Sequence, residues 1–167
     1  FTAVTSLMLN NNSISDFSPL SNQTNLNVLE LQSTGLSDLT FLAGHKKLTN
    51  LNLANNNLKD VYSLSSCTGL TELLLNNNTA LKDVAPLAYC TKLRDLYLDN
   101  TGVTDVSALS KLTKLENLYL DNCKLADPAH LHSLTSLKTL SIIGCGFTDE
   151  QVAEIKAALP NCAVYAG

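Results

Sequence analysis

"LRDLYLDNTGVTDVSALSKLTK" (93–114) runs directly into "LENLYLDNCKLADPAHLHSLTS" (115–136), with leucines at the same offsets and the run LYLDN in both. In each stretch a leucine pair, Leu96/Leu98 or Leu118/Leu120, alternates with period two, as in a short strand with one buried face. Outward from these two, the same unit begins at Val4, Leu26, Leu48, Leu70, Leu93, Leu115 and Leu137, each reading L-x-x-L-x-L-x-x-[NTC] with Val4 and Ile142 standing in for leucine. The step is 22 residues except once, where "NNNTALKD" (76–83) carries one extra residue before Leu81.

A period in the low twenties with this motif predicts an α/β leucine-rich repeat solenoid. Its curved parallel β-sheet lines the concave side, short 3-10 turns lie on the convex side, and a capping helix closes the carboxyl end. Seven stacked strand units are expected over residues 1–147, with the cap and an edge segment over 148–167. Two polar columns fit this scheme. Asn12, Thr34, Asn56, Asn78, Thr101, Cys123 and Cys145 stand where the backbone turns inward, and they read as a hydrogen-bonding ladder for its amides and carbonyls. Asp16, Asp38, Asp60, Asp83, Asp105 and Asp127 each precede an apolar residue, as caps on short helical turns do, and Asp149 continues the column before Glu150. In "TDEQVAEIKAALPNC" (148–162) the apolar Val152, Ile155 and Leu159 recur at helical spacing behind Thr148 or Asp149 and before Pro160, so a true helix is expected. "AVY" (163–165) should add a last edge strand. Phe1 falls directly before the first unit, so the chain is read as a piece of a longer protein.

The units "LTNLNLANNNLKDVYSLSSCTG" (48–69) and 93–114 resemble the 22-residue leucine-rich repeats of the bacterial internalin-like group. That resemblance covers essentially the whole chain. It implies a curved, non-catalytic recognition module at the cell surface or secreted, with ligands that vary between members.

Composition agrees with a recognition role. At 45% hydrophobic and 16% charged residues the chain can bury a core. No apolar run approaches a membrane span, so no membrane insertion is expected. A net charge of −4 argues against nucleic acid, which needs a basic stripe. No nucleophile, base and acid fall together in the repeat and no glycine-rich phosphate loop occurs, so neither an enzyme nor a cofactor is expected.

The remaining candidates have ordinary structural readings. His45, Cys67 and Cys90 stack in adjacent coils, but the column continues as Leu112 and Leu134 and reads as core rather than metal site. Cys123 and Cys145 are stacked neighbours expected to stay reduced, and Cys162 has no evident mate. Five unpaired cysteines suit a reducing compartment, so a cytoplasmic location is the alternative to the surface. His130 and His132 should face solvent on the convex side. Asn11, Asn22 and Asn77 form N-x-[ST] sequons that an asparagine-rich repeat generates by accident.

What remains is the concave face. The column inside each L-x-L pair reads Met8, Glu30, Asn52, Leu74, Tyr97, Tyr119 and Ser141, so the repeated LYLDN builds a stripe of two tyrosines beside two aspartates. Concave positions carry six acids, Glu30, Glu72, Asp95, Asp99, Glu116 and Asp121, against two bases, Arg94 and Lys138. Nine acids and nine bases remain elsewhere and cancel, so the whole net charge lies on this face. Like charges about 4.8 Å apart repel unless solvent or a partner relieves them. The expected site is Leu74, Asp95, Tyr97, Asp99, Glu116, Tyr119 and Asp121, taking a protein partner with a basic segment. Seven strands give a face of about 500 Å², below the roughly 800 Å² per partner of a standard interface. A glycan ligand and a plain spacer role are the alternatives, and the chain is expected to be a monomer.

Overall fold

A computed structural model describes residues 4–167; Phe1 and the reading attached to it lie outside the described residues. Eight three-residue strands form one parallel sheet in chain order: β1 Ser6–Met8, β2 Val28–Glu30, β3 Asn50–Asn52, β4 Glu72–Leu74, β5 Asp95–Tyr97, β6 Asn117–Tyr119, β7 Thr139–Ser141 and β8 Ala163–Tyr165. Register is constant from coil to coil, Leu7 to Leu29 to Leu51 to Leu73 to Leu96 to Leu118 to Leu140 to Val164. The single-residue insertion before Leu81 therefore stays in its own loop and never reaches the sheet. Returning segments form 3-10 turns at Ser18–Asn22, Thr40–Leu42, Tyr62–Ser66, Ala85–Tyr89, Ser107–Lys111 and Pro128–Leu131.

The core lies between sheet and turns. From Leu26 onward the inward-facing strand leucines and the turn residues Leu42, Leu64, Leu87, Leu109 and Leu131 are buried and form one continuous cluster. Each buried leucine contributes about 1.5–3 kcal/mol of transfer free energy, and the periodic supply of them holds such short strands together. Carboxyl-terminally the stack is closed by α1 (Asp149–Ala158). Thr148 caps it through a reciprocal pair with Gln151, and Ile155 and Leu159 are buried against the last coil.

Both polar columns serve the backbone. Asn56 is buried; its Oδ1 accepts from the Thr34 and Leu36 amides, and its Nδ2 donates to the Leu31 and Leu53 carbonyls. One coil on, Asn78 accepts from the Leu58 amide and donates to the Leu53 and Leu75 carbonyls. Where the column changes to cysteine, the thiol takes over the donor role, Cys123 to Leu98 O and Cys145 to Leu120 O, both at 3.2 Å. Six of the seven aspartates accept, through Oδ1, from the amide two residues on at 2.8–3.2 Å, closing an Asx turn at the start of each 3-10 turn. The seventh departs from expectation: Asp149 is the first residue of α1, and Thr148 is its cap. Just before the ladder column, Asn11, Ser33, Asn55, Asn77, Asn100 and Asn122 all adopt left-handed backbone with φ of 55–62°, which asparagine tolerates better than most residues. Coil seven has Gly144 there, and a Cβ on it would sit 2.4 Å from Asn122 Oδ1.

The histidine and cysteine stack is interior. His45 is fully buried with Nε2 3.2 Å from Leu20 O, while Cys67 and Cys90 donate to Leu42 O and Leu64 O. Burial raises the Cys67 thiol to about 11 and the Cys90 thiol to about 12, so both are protonated at neutral pH and unreactive. Cys123 and Cys145 are free thiols, like the other three. His130 and His132 correct the expectation of solvent-facing side chains, because both are half-buried. His130 Nδ1 lies 3.1 Å from Asp105 Oδ1 on the preceding coil, and His132 Nε2 is buried without a partner. The convex side is stacked tightly enough for a side chain at a turn to be covered by the neighbouring coil.

Candidate functional site

Three columns of side chains project from the concave sheet. The first runs Ser6, Val28, Asn50, Glu72, Asp95, Asn117, Thr139 and Ala163; the second runs Met8, Glu30, Asn52, Leu74, Tyr97, Tyr119, Ser141 and Tyr165. A third, just past the strands, includes Asn10, Gln32, Ala54, Asn76, Asp99, Asp121 and Ile143. Among the described residues, no lysine, arginine or histidine stands in any of the three.

Leu74, Tyr97 and Tyr119 follow one another in the second column, all half-exposed. The two rings stack nearly parallel, with centroids 4.6 Å apart and planes inclined by 5°. Such a pair contributes roughly 0.5–1.5 kcal/mol beyond its buried area and restricts both rings. Burial pushes the Tyr97 phenol up, helped by Tyr119 and by the negative charges of Asp95, Glu72 and Asp99.

The neighbouring acids are less bare than like-charge stacking predicts, and this corrects the expectation that only solvent or a partner relieves them. Asp95 accepts from the Asn117 side-chain amide, Asp99 Oδ1 from the Asp121 backbone amide at 3.0 Å, and Asp121 Oδ1 from Ser141 Oγ and, at 2.9 Å, the Ile143 amide. In each of these contacts a single carboxylate oxygen is engaged. Asp99 nevertheless has its carboxyl raised, first by burial and then by the charge of Asp121.

Of the expected site residues, the structure brings Leu74, Asp95, Tyr97, Asp99, Tyr119 and Asp121 into one patch. Glu116 stands apart before β6, between Arg94 Nη1 at 2.8 Å and Lys138 Nζ at 2.7 Å. Its hydrogen bond from Lys138 and both cations lower its carboxyl, and its charge is met within the chain. This ionic ladder also accounts for both concave bases, leaving the sheet columns purely acidic. Tyr165 was missed: β8 puts it in register with Ser141 and 55% exposed, so a third tyrosine belongs to the second column. The alternation in "AVY" was the available signal, but its column follows only from pairing with β7.

This architecture of parallel three-residue strands, asparagine ladder and capped 3-10 turns defines a leucine-rich repeat module, and the family's two-copy repeat matches residues 46–89 and 91–131. The chain belongs to the leucine-rich repeat family, in its bacterial internalin-like group. An internalin C2 from Listeria monocytogenes is 30% identical with a TM-score of 0.92, over 99% of this chain and 72% of that one. An internalin (inlF) from the same organism is 32% identical with a TM-score of 0.88, over 96% of this chain and 47% of that one, so the chain spans about half of its length. A plant peptide hormone receptor, RGFR1 in complex with RGF2, shares the fold at 17% identity and a TM-score of 0.67, over 98% of this chain and 32% of that one. Comparison with curated proteins gives no match. Leucine-rich repeat domains are commonly protein-interaction modules, and internalin-like ones are typically non-enzymatic. Among the described residues no helix is long and apolar enough to cross a membrane.

Proposed function

We propose that the chain is a monomeric recognition module, surface-exposed or secreted, whose concave face binds a protein partner through a basic segment. Leu74, Tyr97 and Tyr119 are the apolar anchors, and Asp95, Asp99 and Asp121 supply charge. The observation that carries this reading is the stacked, half-exposed tyrosine pair set in sheet columns that hold carboxylates and no base. Rigid tyrosines give contact area at low entropic cost, while acids within a Debye length of roughly 8 Å steer and orient a cationic partner. A spacer has no use for an aspartate held with its carboxyl raised beside a second one. Asp99→Asn with Asp121→Asn keeps the Oδ1 acceptors and removes both charges, so binding should weaken and lose most of its salt dependence. Unchanged binding at low salt in that double variant contradicts the electrostatic part of the reading.

A further inference from the structure

Two adjacent turns on the convex side carry exposed tyrosines. Tyr62 opens the turn Tyr62–Ser66 and Tyr89 ends the next, Ala85–Tyr89, so they stand at diagonal corners of one two-turn patch. At 76% and 66% they are the most exposed large hydrophobic side chains among the described residues. The repeat does not ask for them: Thr40, Ala85 and Ser107 stand in register with Tyr62, and Ser66 and Lys111 with Tyr89. Both tyrosines border a hollow of about 650 Å³, which Ala85 and Pro86 line with apolar surface and Ser65 and Asp83 with polar groups. Neither ring covers the other, in contrast to the stacked pair of Tyr97 and Tyr119. Asp83 Oδ1 accepts from the Ala85 amide, and Ser66 Oγ is engaged with the Gly44 amide and Ser63 O. The hydroxyls of Ser65, Tyr62 and Tyr89 and the second Asp83 oxygen have no partner among the described residues.

We propose that this hollow binds a neutral oligosaccharide, at a site separate from the concave face and independent of its reading. A sugar ring presents C–H groups on its faces and hydroxyls around its rim. It therefore needs open aromatic surface beside free polar groups, and the hollow supplies both. Its volume falls in the range of roughly 300–1,000 Å³ typical of small-molecule sites and exceeds what one ammonium group would fill. Two other ligands fit less well. A cation gains little on ring faces that water still reaches. A proline-rich segment would pack on the tyrosines, but prolines bring carbonyl acceptors without amide donors and leave the free Asp83 oxygen unmatched. Sugar hydroxyls donate to that carboxylate and exchange hydrogen bonds in either sense with Ser65 and the tyrosine hydroxyls. With no charge on the ligand, salt should barely change its affinity.

The test follows the ring resonances of the five tyrosines, in a chain without tryptophan, while three neutral linear sugars are titrated to millimolar concentration. The sugars are maltotetraose, cellotetraose and chitotetraose. At least one should shift Tyr62 and Tyr89, leave Tyr97 and Tyr119 in place, and bind equally well at low and high salt. Tyr62→Ala and Tyr89→Ala should each weaken that sugar several-fold with the circular dichroism unchanged, because neither ring is buried. Asp83→Asn, which keeps the Oδ1 acceptor for the Ala85 amide, should weaken it less. No shift at Tyr62 and Tyr89 with any of the three sugars overturns the proposal, as does a sugar that binds both alanine variants as tightly as the parent. Acetyl-pentaproline-amide or choline shifting the two rings where the sugars do not would overturn it as well, and would name the better ligand class. Asp99→Asn with Asp121→Asn should bind the sugar like the parent, so a failed hollow leaves the concave reading standing and a failed concave face leaves the hollow.

Discussion

Aspartate recurs in columns on both sides of this solenoid and does opposite things there. On the convex side Asp16, Asp38 and Asp105 are exposed, and hydrogen bonds from Ser18, Thr40 and Ser107 hold their carboxyls below the ordinary range. On the concave side Asp99 is half-buried with Asp121 alongside, and its carboxyl is raised. The first arrangement favours the charged form and stabilises the turn it closes. The second holds a charge that burial and a like-charged neighbour disfavour despite one hydrogen bond from the Asp121 amide, which is the physical mark separating a residue kept for structure from one available to a partner.

The largest effect should come from the ladder that no partner touches. Asn56→Ala strands the Thr34 and Leu36 amides in the core and leaves the Leu31 and Leu53 carbonyls to the Thr34 hydroxyl and the Asn78 side chain, and should cost about 3 kcal/mol in chemical denaturation. Next, Tyr97→Ala with Tyr119→Ala should reduce partner affinity at least about tenfold, by the scale of aromatic anchors, with a small change in melting temperature. A loss of folding comparable to Asn56→Ala would mean that the stack is a structural device. Asp83→Ala removes one turn cap and should cost about 1 kcal/mol without altering concave binding. Smallest is Asp99→Asn: it keeps the acceptor for the Asp121 amide and relieves burial of a charge, so thermal stability at neutral pH should hold or rise slightly while binding falls.

The two sets of acids also separate with pH. A carboxyl lowered in the native state contributes stability that is present above its unfolded value and lost as pH falls through the folded one, so Asp16, Asp38 and Asp105 lose their contribution below about pH 4. Asp99, raised in the native state, contributes in the reverse sense: its term favours the fold at low pH and is lost as pH rises through the folded value. Acid titration of parent and Asp99→Asn by circular dichroism should therefore show the variant's advantage at neutral pH shrinking as the solution is acidified. A constant or growing advantage would contradict the burial account of Asp99.

Much of this was legible in the sequence because the repeat fixes register. Leucines at invariant offsets give the sheet, the Asn/Thr/Cys column gives the ladder, and Asp before an apolar residue gives the turn caps, each from local periodicity. Contacts between coils were harder to read. That Asn50 would hold Glu72, that Arg94 and Lys138 would enclose Glu116, and that Tyr165 would join the tyrosine column depend on side-chain reach across a coil boundary. His130 was misplaced for the same reason, since its neighbour Asp105 lies 25 positions earlier in the chain and beside it in space.

The central claim is that the concave stripe, and not the fold in general, carries recognition. Its most direct test is a pull-down at two salt concentrations, with the chain and its Tyr97→Ala, Tyr119→Ala, Asp99→Asn, Asp121→Asn variant as parallel baits against extracts and a glycan panel, both verified as folded by circular dichroism. The account predicts a protein retained by the parent alone, more strongly at low salt. The same proteins recovered by both baits, or a salt-insensitive glycan held by the parent alone, would contradict it.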